Sequence, residues 1–308
     1  MRRNEATARA YRTMTATTTG FIGIGNMGLG MALRLRDLGF AVGVRDIDPE
    51  REATAAAHRA SVHASPAVLA RHCNVVVVAV VDAAQCEDVL FGEEGAAPAL
   101  ARGACVMLCP TLSPTSTSGF AARLEALGID CIDAPMSGGP ARARDGSMSL
   151  MVACPDAVFA RHRALIEALS SKVFRVGTRA GDGARTKLVN NLLAAINLAG
   201  AAEALALAER VGLDPARTLD VIAQSSGQSW IGGDRMVRAL AGDLAPRAHT
   251  TLLAKDTGLA IEMATEVGYD AAFGRLAADT FDAACRSGCG ALDDACLLQR
   301  ARDRPLLR

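Results

Sequence analysis

Three polar residues in the stretch GDGARTKLVNN (181–191) have the types and spacing needed for acid–base chemistry. Lys187, Asn190 and Asn191 are three and four residues apart, so a helix here places them on one face at one level. Burial of an ammonium group and two amides in an apolar helix is costly unless partners satisfy them. The pattern favours either a buried lysine that exchanges a proton or a lysine that extends to solvent while the amides bridge to neighbouring helices.

A second candidate is the stretch DAPMSGGPARARDGSMSL (133–150), in which a predicted strand runs into Ser137, Gly138 and Gly139. The backbone N–H groups and the hydroxyl of such a loop can hold a substrate carboxylate. The same residues are also typical of a simple turn, so the loop alone does not decide between the two.

A third candidate is the stretch GFIGIGNMGLG (20–30) with its glycines Gly23, Gly25 and Gly28. In isolation the motif also fits a plain turn. Here the glycines follow a predicted strand and open a predicted helix, which is the setting of a dinucleotide phosphate loop. The sequence therefore predicts that this loop, including Asn26 and Met27, binds the coenzyme.

Asp46, which ends the next predicted strand, bears on the identity of the coenzyme. It lies about 20 residues beyond the glycines, where a carboxylate accepts hydrogen bonds from the ribose hydroxyls and repels a 2′-phosphate. This position favours NAD over NADP. Arg45 could receive a 2′-phosphate, but its side chain should point to the opposite face. Asp46 could also simply cap a turn before Asp48.

Alternating short Val-rich runs and helical periods between Thr18 and Phe174 predict an α/β fold with a parallel, doubly wound sheet. Beyond Gly183 only helical periods occur, beginning with one apolar helix of about 25 residues that Gly212 should end. So little polar surface predicts burial along much of this helix. The predicted organisation is a disordered extension (1–17) with Met14 as the possible initiator, a Rossmann domain (18–180) and an all-helical domain (181–308), joined by the long helix. The predicted strands are 20–25, 40–44, 74–81, 105–109, 131–135 and 150–154.

Composition excludes several classes of function. The chain has 308 residues, with 33 Lys and Arg against 33 Asp and Glu, so there is no basic excess for nucleic acid or a membrane surface. No continuous apolar run reaches the ~18 residues of a membrane span. The nine cysteines and five histidines are dispersed, which predicts reduced thiols in a cytoplasmic protein and no metal site.

Four motifs together resemble one enzyme family. GFIGIGNMG, DAPMSGG, the GxGxxxKxxNN pattern of 181–191 and KDTGLA (255–260) occur in the order and spacing of the β-hydroxyacid dehydrogenases, which include 3-hydroxyisobutyrate dehydrogenase and tartronate semialdehyde reductase. The resemblance covers about 18–300. It implies an N-terminal Rossmann domain, a helical C-terminal domain for substrate binding and dimerisation (181–308), an active site in the cleft between them and a homodimer or homotetramer.

The resemblance also implies roles for individual residues. Lys187 matches the catalytic lysine, and Asn191 matches the asparagine that orients substrate and lysine. The loop of Ser137, Gly138 and Gly139 matches the one that binds the substrate carboxylate. The remaining implied contacts are Asn190 and Trp230 with substrate and Val81, Thr111 and Lys255 with the coenzyme. Pro110 departs from the family pattern and removes a backbone donor next to Thr111.

Finer features resemble the L-threonate dehydrogenase branch, namely VVDAAQCEDVLFGEEG (80–95) and SSGQSWIGGDRM (225–236). The predicted function is NAD-dependent hydride transfer to or from a small β-hydroxy acid of the threonate type, with lysine as general acid and base. The alternatives are 3-hydroxyisobutyrate dehydrogenase, tartronate or succinic semialdehyde reductase, and a non-catalytic dinucleotide-binding scaffold. Imine reductases are disfavoured because they usually replace the lysine, which this chain keeps as Lys187. The 6-phosphogluconate dehydrogenases are disfavoured because their helical domain is much longer than the one this chain can form.

Overall fold

A computed structural model describes residues 18–303 of the chain. The extension predicted for residues 1–17 lies outside the described residues. The rest divides into two compact units, the first ending at Lys187 and the second beginning at Leu188.

A nine-stranded sheet forms the centre of the first unit. Its strands follow the order β3-β2-β1-β4-β5-β6-β8-β7, and β9 pairs with β8. The neighbouring pairs from β3 to β6 are all parallel. The strands are β1 (Thr18–Ile22), β2 (Ala41–Arg45), β3 (Ser61–Val62), β4 (Val75–Val78), β5 (Cys105–Leu108), β6 (Asp130–Asp133), β7 (Met136–Ser137), β8 (Ser149–Ala153) and β9 (Lys172–Gly177).

Helices cover both faces of this sheet, because its central strands are apolar at every position. All four valines of β4 are fully buried, and two separate apolar clusters occupy the two sides. The helices are α1 (Asn26–Asp37), α2 (Pro49–Ala57), α3 (Pro66–Ala70), α4 (Ala83–Phe91), α5 (Pro114–Ala126), α6 (Gly139–Asp145) and α7 (Asp156–Leu169).

The Rossmann prediction is confirmed, but the sheet is not parallel throughout. β8 runs antiparallel to both β6 and β7. The sequence also missed β3, β7 and β9. β3 and β7 have only two residues each, and every position of β9 is exposed or half-buried, so none of the three has the apolar run that identified the other strands.

The second unit is helical, as predicted. It contains most of α8 (Asp182–Arg210), followed by α9 (Pro215–Ala223), α10 (Trp230–Leu240), α11 (Thr250–Glu266), α12 (Ala272–Ala284) and α13 (Leu297–Arg302). The helix α8 has 29 residues, and Gly212 beyond its end has a φ of +82°, which a glycine adopts without strain.

The prediction that α8 is buried along much of its length is only partly right. Leu198 and Leu205 are fully buried, but only 39% of the most apolar 18-residue window lies inside the chain. By length and composition alone, α8 is the one helix within residues 18–303 that could cross a membrane. The apolar composition of α8 led to the expectation that its surface is buried. It gave no indication that part of this apolar surface is exposed.

Candidate active site

The glycine-rich loop connects β1 to α1 and leaves its backbone open to a ligand. Within residues 18–303 no side chain caps the N-terminus of α1, where Gly25 is the N-cap. A Cβ on Gly28 would collide with the carbonyl oxygen of Gly23, and a Cβ on Gly23 would lie 2.9 Å from the backbone of Ala79. Free N–H groups at a helix N-terminus, approached through glycines, form an anion site that suits a pyrophosphate.

Asp46, which follows β2, holds this loop in place through a hydrogen bond. Its Oδ2 accepts a hydrogen bond of 2.6 Å from the N–H of Ile24, and its Oδ1 accepts one of 2.9 Å from the N–H of Asp48. The carboxylate therefore does cap the turn at Asp48, and it also holds the loop. Because two carboxylate oxygens offer about four lone pairs, ribose hydroxyls can still bind there.

Two arginines flank Asp46, and only one of them faces the loop. Arg45 Nη1 donates to the carbonyl of Asp46 at 2.6 Å and to Glu52 Oε1 at 3.0 Å. Arg51 pairs with Asp48 at 3.1 Å, and its Nη1 lies 2.7 Å from the point where a Cβ of Gly25 would be. The sequence predicted that Arg45 points away from the face of Asp46. It gave no signal for Arg51, which lies against the glycine-rich loop.

Two other predicted coenzyme residues lie along the same edge of the sheet. Val81 follows β4 and Thr111 follows β5, and the carboxyl ends of adjacent parallel strands meet at one edge. Val81 is 48% exposed, and its N–H donates to Gln85 Oε1 at 2.8 Å.

The predicted carboxylate loop lies between β7 and α6. Ser137, Gly138 and Gly139 are all half-buried. Gly138 and Gly139 have φ values of +132° and +79°, a region of backbone conformation that strongly favours glycine. This loop therefore needs its glycines for its shape, and its three residues remain partly accessible.

Asp133, at the end of β6, fixes the start of α8. Its Oδ2 accepts hydrogen bonds from the N–H groups of Gly181, Gly183 and Ala184 at 2.8, 2.9 and 3.2 Å. A Cβ on Gly183 would lie 2.7 Å from the carboxylate. Burial raises the pKa of Asp133 to about 6, against the opposing effect of these N–H groups. The helix that carries Lys187 is therefore anchored to the sheet through one buried carboxyl group.

Lys187 and Asn191 lie one turn apart on α8, and both are only 7% exposed. Asn191 Nδ2 donates to Asp256 Oδ2 at 2.5 Å, and Lys255 Nζ lies 2.7 Å from Asp256 Oδ1. Asn190 is exposed but donates to Asn191 Oδ1 at 3.0 Å. Asp256 thus holds the asparagine and a second lysine together, which leaves Asn191 with a fixed amide orientation.

Comparison with known proteins places this arrangement in a family. Residues 18–177 match the NAD binding domain of 6-phosphogluconate dehydrogenase, and residues 181–301 match the NAD-binding domain of NADP-dependent 3-hydroxyisobutyrate dehydrogenase. L-threonate dehydrogenase of Cupriavidus necator is 37% identical over 91% of this chain and 94% of its own. Its counterpart from Escherichia coli K12 is 33% identical over 91% and 93%.

The chain belongs to the 3-hydroxyisobutyrate dehydrogenase-like family of β-hydroxyacid dehydrogenases. A solved structure described as 3-hydroxyisobutyrate dehydrogenase from Salmonella typhimurium superimposes with a TM-score of 0.87, at 33% identity, covering 92% of this chain and 99% of the other. The protein is an NAD(P)-dependent hydroxyacid dehydrogenase, which confirms the predicted enzyme class and dinucleotide coenzyme.

The SSGQSWIGGDRM stretch of this dehydrogenase has a structural explanation. Ser229 Oγ accepts from the N–H of Gly232 at 3.1 Å and so caps α10. Arg235 Nε donates to the buried Asp294 at 2.5 Å. Trp230 is 49% exposed and lines a groove of about 730 Å³ formed by α8, α9 and α10. The sequence predicted that Trp230 contacts the substrate, and such a contact would be made in this groove.

Sequence reasoning missed two carboxyl groups of the dehydrogenase, Asp133 and Asp256. Asp133 stands in the DAPMSGG motif but acts on residues about 50 positions later. Asp256 stands in the KDTGLA motif and reaches Asn191, 65 positions earlier. The only signal in the sequence was that both lie inside recognised motifs. The roles predicted for those motifs were assigned to the loop of residues 137–139 and to Lys255 instead.

Proposed function

We propose that this dehydrogenase oxidises the hydroxyl group of L-threonate or a closely related polyhydroxy acid with NAD. Two relatives that are 37% and 33% identical to this chain carry the name L-threonate dehydrogenase. The VVDAAQ and SSGQSW stretches resemble the same branch. One observation supports the chemistry above all others: a buried lysine stands one turn from an asparagine whose amide is held by a buried carboxylate.

In the proposed reaction Lys187 removes the hydroxyl proton of the substrate. When bound, the nicotinamide would accept the hydride from the carbinol carbon, so that the alcohol becomes a carbonyl and its hydroxyl proton passes to Lys187. Burial disfavours the ammonium form of a lysine, and this makes the neutral amine that a general base requires more accessible. In the reverse direction the same group returns the proton.

Three other groups position the substrate in this proposal. Asn191 holds the hydroxyl in line with the amine, with its own orientation set by Asp256. The N–H groups and hydroxyl of the loop formed by Ser137, Gly138 and Gly139 bind the substrate carboxylate. Orienting both ends of a small acid in this way is worth several kcal/mol of the barrier.

We infer that NAD is preferred over NADP. Asp46 places a carboxylate at the end of β2, where it repels a 2′-phosphate, and Glu52 occupies the nearby Arg45. Arg51 lies over Gly25 and therefore favours the phosphate groups that both coenzymes share. We further infer a homo-oligomer, since eighteen large hydrophobic side chains among residues 18–303 are exposed. We infer a cytoplasmic location from the nine dispersed cysteines, which form no disulfide within the described residues.

A coenzyme-reduction screen tests the proposal. Threonate, 3-hydroxyisobutyrate, glycerate and 4-hydroxybutyrate are each assayed with NAD and with NADP, following absorbance of the reduced coenzyme. We expect the highest kcat/KM for threonate with NAD. A preference for 3-hydroxyisobutyrate would assign the chain to that alternative activity. A flat response to all four acids with either coenzyme would contradict the proposed substrate class.

A further inference from the structure

Three of the nine cysteines lie close together in the chain near the end of the second unit. Cys285, Cys289 and Cys296 fall within twelve residues, and all three are free thiols. The backbone forms a π-helical turn over Cys285–Cys289, directly after α12, and a short 3₁₀ helix over Asp294–Cys296, directly before α13. Only four residues join the two turns, so the thiols that they carry belong to one compact segment.

The thiols of Cys289 and Cys296 are neighbours that differ in exposure. Cys296 makes side-chain hydrogen bonds with the Cys289 thiol and with the Thr250 hydroxyl, whose Oγ1 lies 3.4 Å from its Sγ. Cys296 is only 1% exposed, whereas Cys289 is half-buried. Burial raises the pKa of the Cys296 thiol to about 12. A dissolved oxidant therefore reacts first at Cys289, because a buried thiol in an apolar environment is unreactive.

The backbone around Cys289 has the freedom to bring the two sulfur atoms together. Gly288 and Gly290 flank Cys289, and Gly288 has a φ of +89°, which a glycine adopts without strain. Cys296 is held more firmly, because its N–H donates to the carbonyl of Asp293 at 3.0 Å and its side chain is enclosed. A disulfide needs an S–S bond of about 2.05 Å. A movement of Cys289 between its two glycines shortens the thiol contact to that length.

We propose that Cys289 and Cys296 are a site of reversible oxidation, at which hydrogen peroxide converts the two thiols into an intramolecular disulfide. The Cys289 sulfur attacks one peroxide oxygen, so that an S–O bond forms, the O–O bond breaks and one water leaves, giving a sulfenic acid. The neighbouring Cys296 sulfur then attacks the Cys289 sulfur, so that the S–S bond forms, the S–O bond breaks and a second water leaves. The two thiols lose two electrons to the peroxide, and both thiol protons end in water.

Proximity compensates for the raised pKa of Cys296, since a thiol that already contacts the sulfenic acid reacts as if at very high concentration. A dithiol reductant reverses the oxidation by thiol–disulfide exchange. Transient disulfides of this kind are the ones that a cytoplasmic protein forms, and the free thiols of the structure are the reduced state of the site. The inference concerns the second unit alone and does not depend on the proposed substrate.

The segment between the two cysteines is tied to α10 through two ion pairs. Asp294 Oδ1 accepts from Arg235 Nε at 2.5 Å, and Asp293 Oδ1 lies 2.9 Å from Arg238 Nη2. The Cζ of Arg235 in turn lies 5.9 Å from the centre of the Trp230 ring. A disulfide closed across this segment shifts the two carboxylates and, with them, the guanidinium beside the ring. Oxidation should therefore shift the emission of Trp230, the single tryptophan of the chain.

Peptide mapping of the oxidised protein tests the pairing. The reduced full-length chain is treated with hydrogen peroxide, its remaining thiols are alkylated, and it is digested with trypsin. Because trypsin cleaves after each arginine, Cys289 and Cys296 fall on one peptide (287–300) and Cys285 falls on another (276–286). We expect peptide 287–300 to have lost two hydrogen atoms and to carry no alkyl group. Treatment with dithiothreitol before alkylation should restore an alkyl group on both of its cysteines.

Cys285→Ser is the matched control, since Cys285 shares the π-helical turn with Cys289; it should leave the disulfide within peptide 287–300 unchanged. Cys296→Ser should stop at the sulfenic acid of Cys289, which dimedone traps. The emission of Trp230 should shift on oxidation and return with dithiothreitol in the wild type and in Cys285→Ser, and it should stay unchanged in Cys296→Ser. Because the peptide map uses the wild type, a variant that fails to fold by circular dichroism leaves that test intact.

Four results would contradict the proposal. Alkyl groups on both Cys289 and Cys296 after peroxide treatment would overturn the site. A link between peptides 276–286 and 287–300 would assign the disulfide to Cys285 instead. Two copies of peptide 287–300 joined to each other would show that oxidation links two chains. A disulfide that forms as proposed without any shift in the emission of Trp230 would overturn the coupling to α10.

Discussion

Two regions of the molecule differ in the groups that they present. One is the glycine-rich loop of the first unit, and the other is the Asn191–Asp256–Lys255 network of the second. The loop offers backbone N–H groups, and its shape depends on the absence of side chains at Gly23 and Gly28. The network consists of side chains that already hold one another at 2.5 and 2.7 Å. Changes to the loop should therefore act on coenzyme binding, whereas changes at Asn191, or at Lys187 one turn before it, should act on turnover.

The largest effect should come from Lys187, which separates the two regions most clearly. Lys187→Ala removes the proposed general base, so kcat should fall by roughly 10²–10⁴. The Kd for NAD, measured by fluorescence titration, should stay close to that of the wild type because the loop is untouched. A parallel loss of NAD affinity would show that the two regions are not separable. An unchanged kcat would remove Lys187 from the reaction.

A smaller effect of the opposite kind is expected at Gly28. Gly28→Ala forces a methyl group onto the carbonyl oxygen of Gly23, and such overpacking costs about 1–3 kcal/mol. The Kd for NAD should rise roughly tenfold to a hundredfold, while kcat at saturating NAD changes little.

Gly119→Ala is the matched control for Gly28→Ala. Gly119 lies inside α5, and a Cβ there would meet no heavy atom of the described residues within 4 Å. It should leave the Kd unchanged and raise the free energy of unfolding by about 0.4–1 kcal/mol. Equal Kd values for the Gly28 and Gly119 variants would contradict the assigned role of the loop.

Asp133 should act on a different property, the dependence of stability on pH. Burial raises its pKa to about 6 in the folded state from an ordinary value of 3.8, so the folded protein binds this proton more tightly than the unfolded chain does. Its contribution to stability is therefore present below pH 4 and is lost as the pH rises through about 6.

Urea unfolding of the wild type and Asp133→Asn between pH 4 and 8 measures this contribution. The free energy of unfolding of the wild type should fall relative to the variant by up to roughly 3 kcal/mol between pH 4 and 7 and then level off. A difference that grows in the opposite direction would mean that the three N–H groups outweigh burial.

Short sequence patterns were enough to predict those features that depend only on residues close together in the chain. The loop from Gly23 to Gly28 and the strand β4 follow from neighbouring residues, and the helical placement of Lys187 and Asn191 follows from their spacing.

The antiparallel direction of β8 could not be predicted, because a strand's own residues do not fix the direction of its neighbour. The roles of Asp133 and Asp256 depend on partners about 50 and 65 positions away. The expected burial of α8 was only partly right, because apolarity along a helix does not say which of its faces packs inside the fold.

Chemical rescue tests the central claim most directly, because it asks whether turnover requires an amine at position 187. Lys187→Ala is assayed at saturating NAD and hydroxy acid with increasing concentrations of methylamine and ethylamine at several pH values. If the lysine exchanges the substrate proton, turnover should rise in proportion to the concentration of the unprotonated amine. If turnover is insensitive to both amines while coenzyme and substrate remain bound, the proton leaves by another route and the proposed role of Lys187 is wrong.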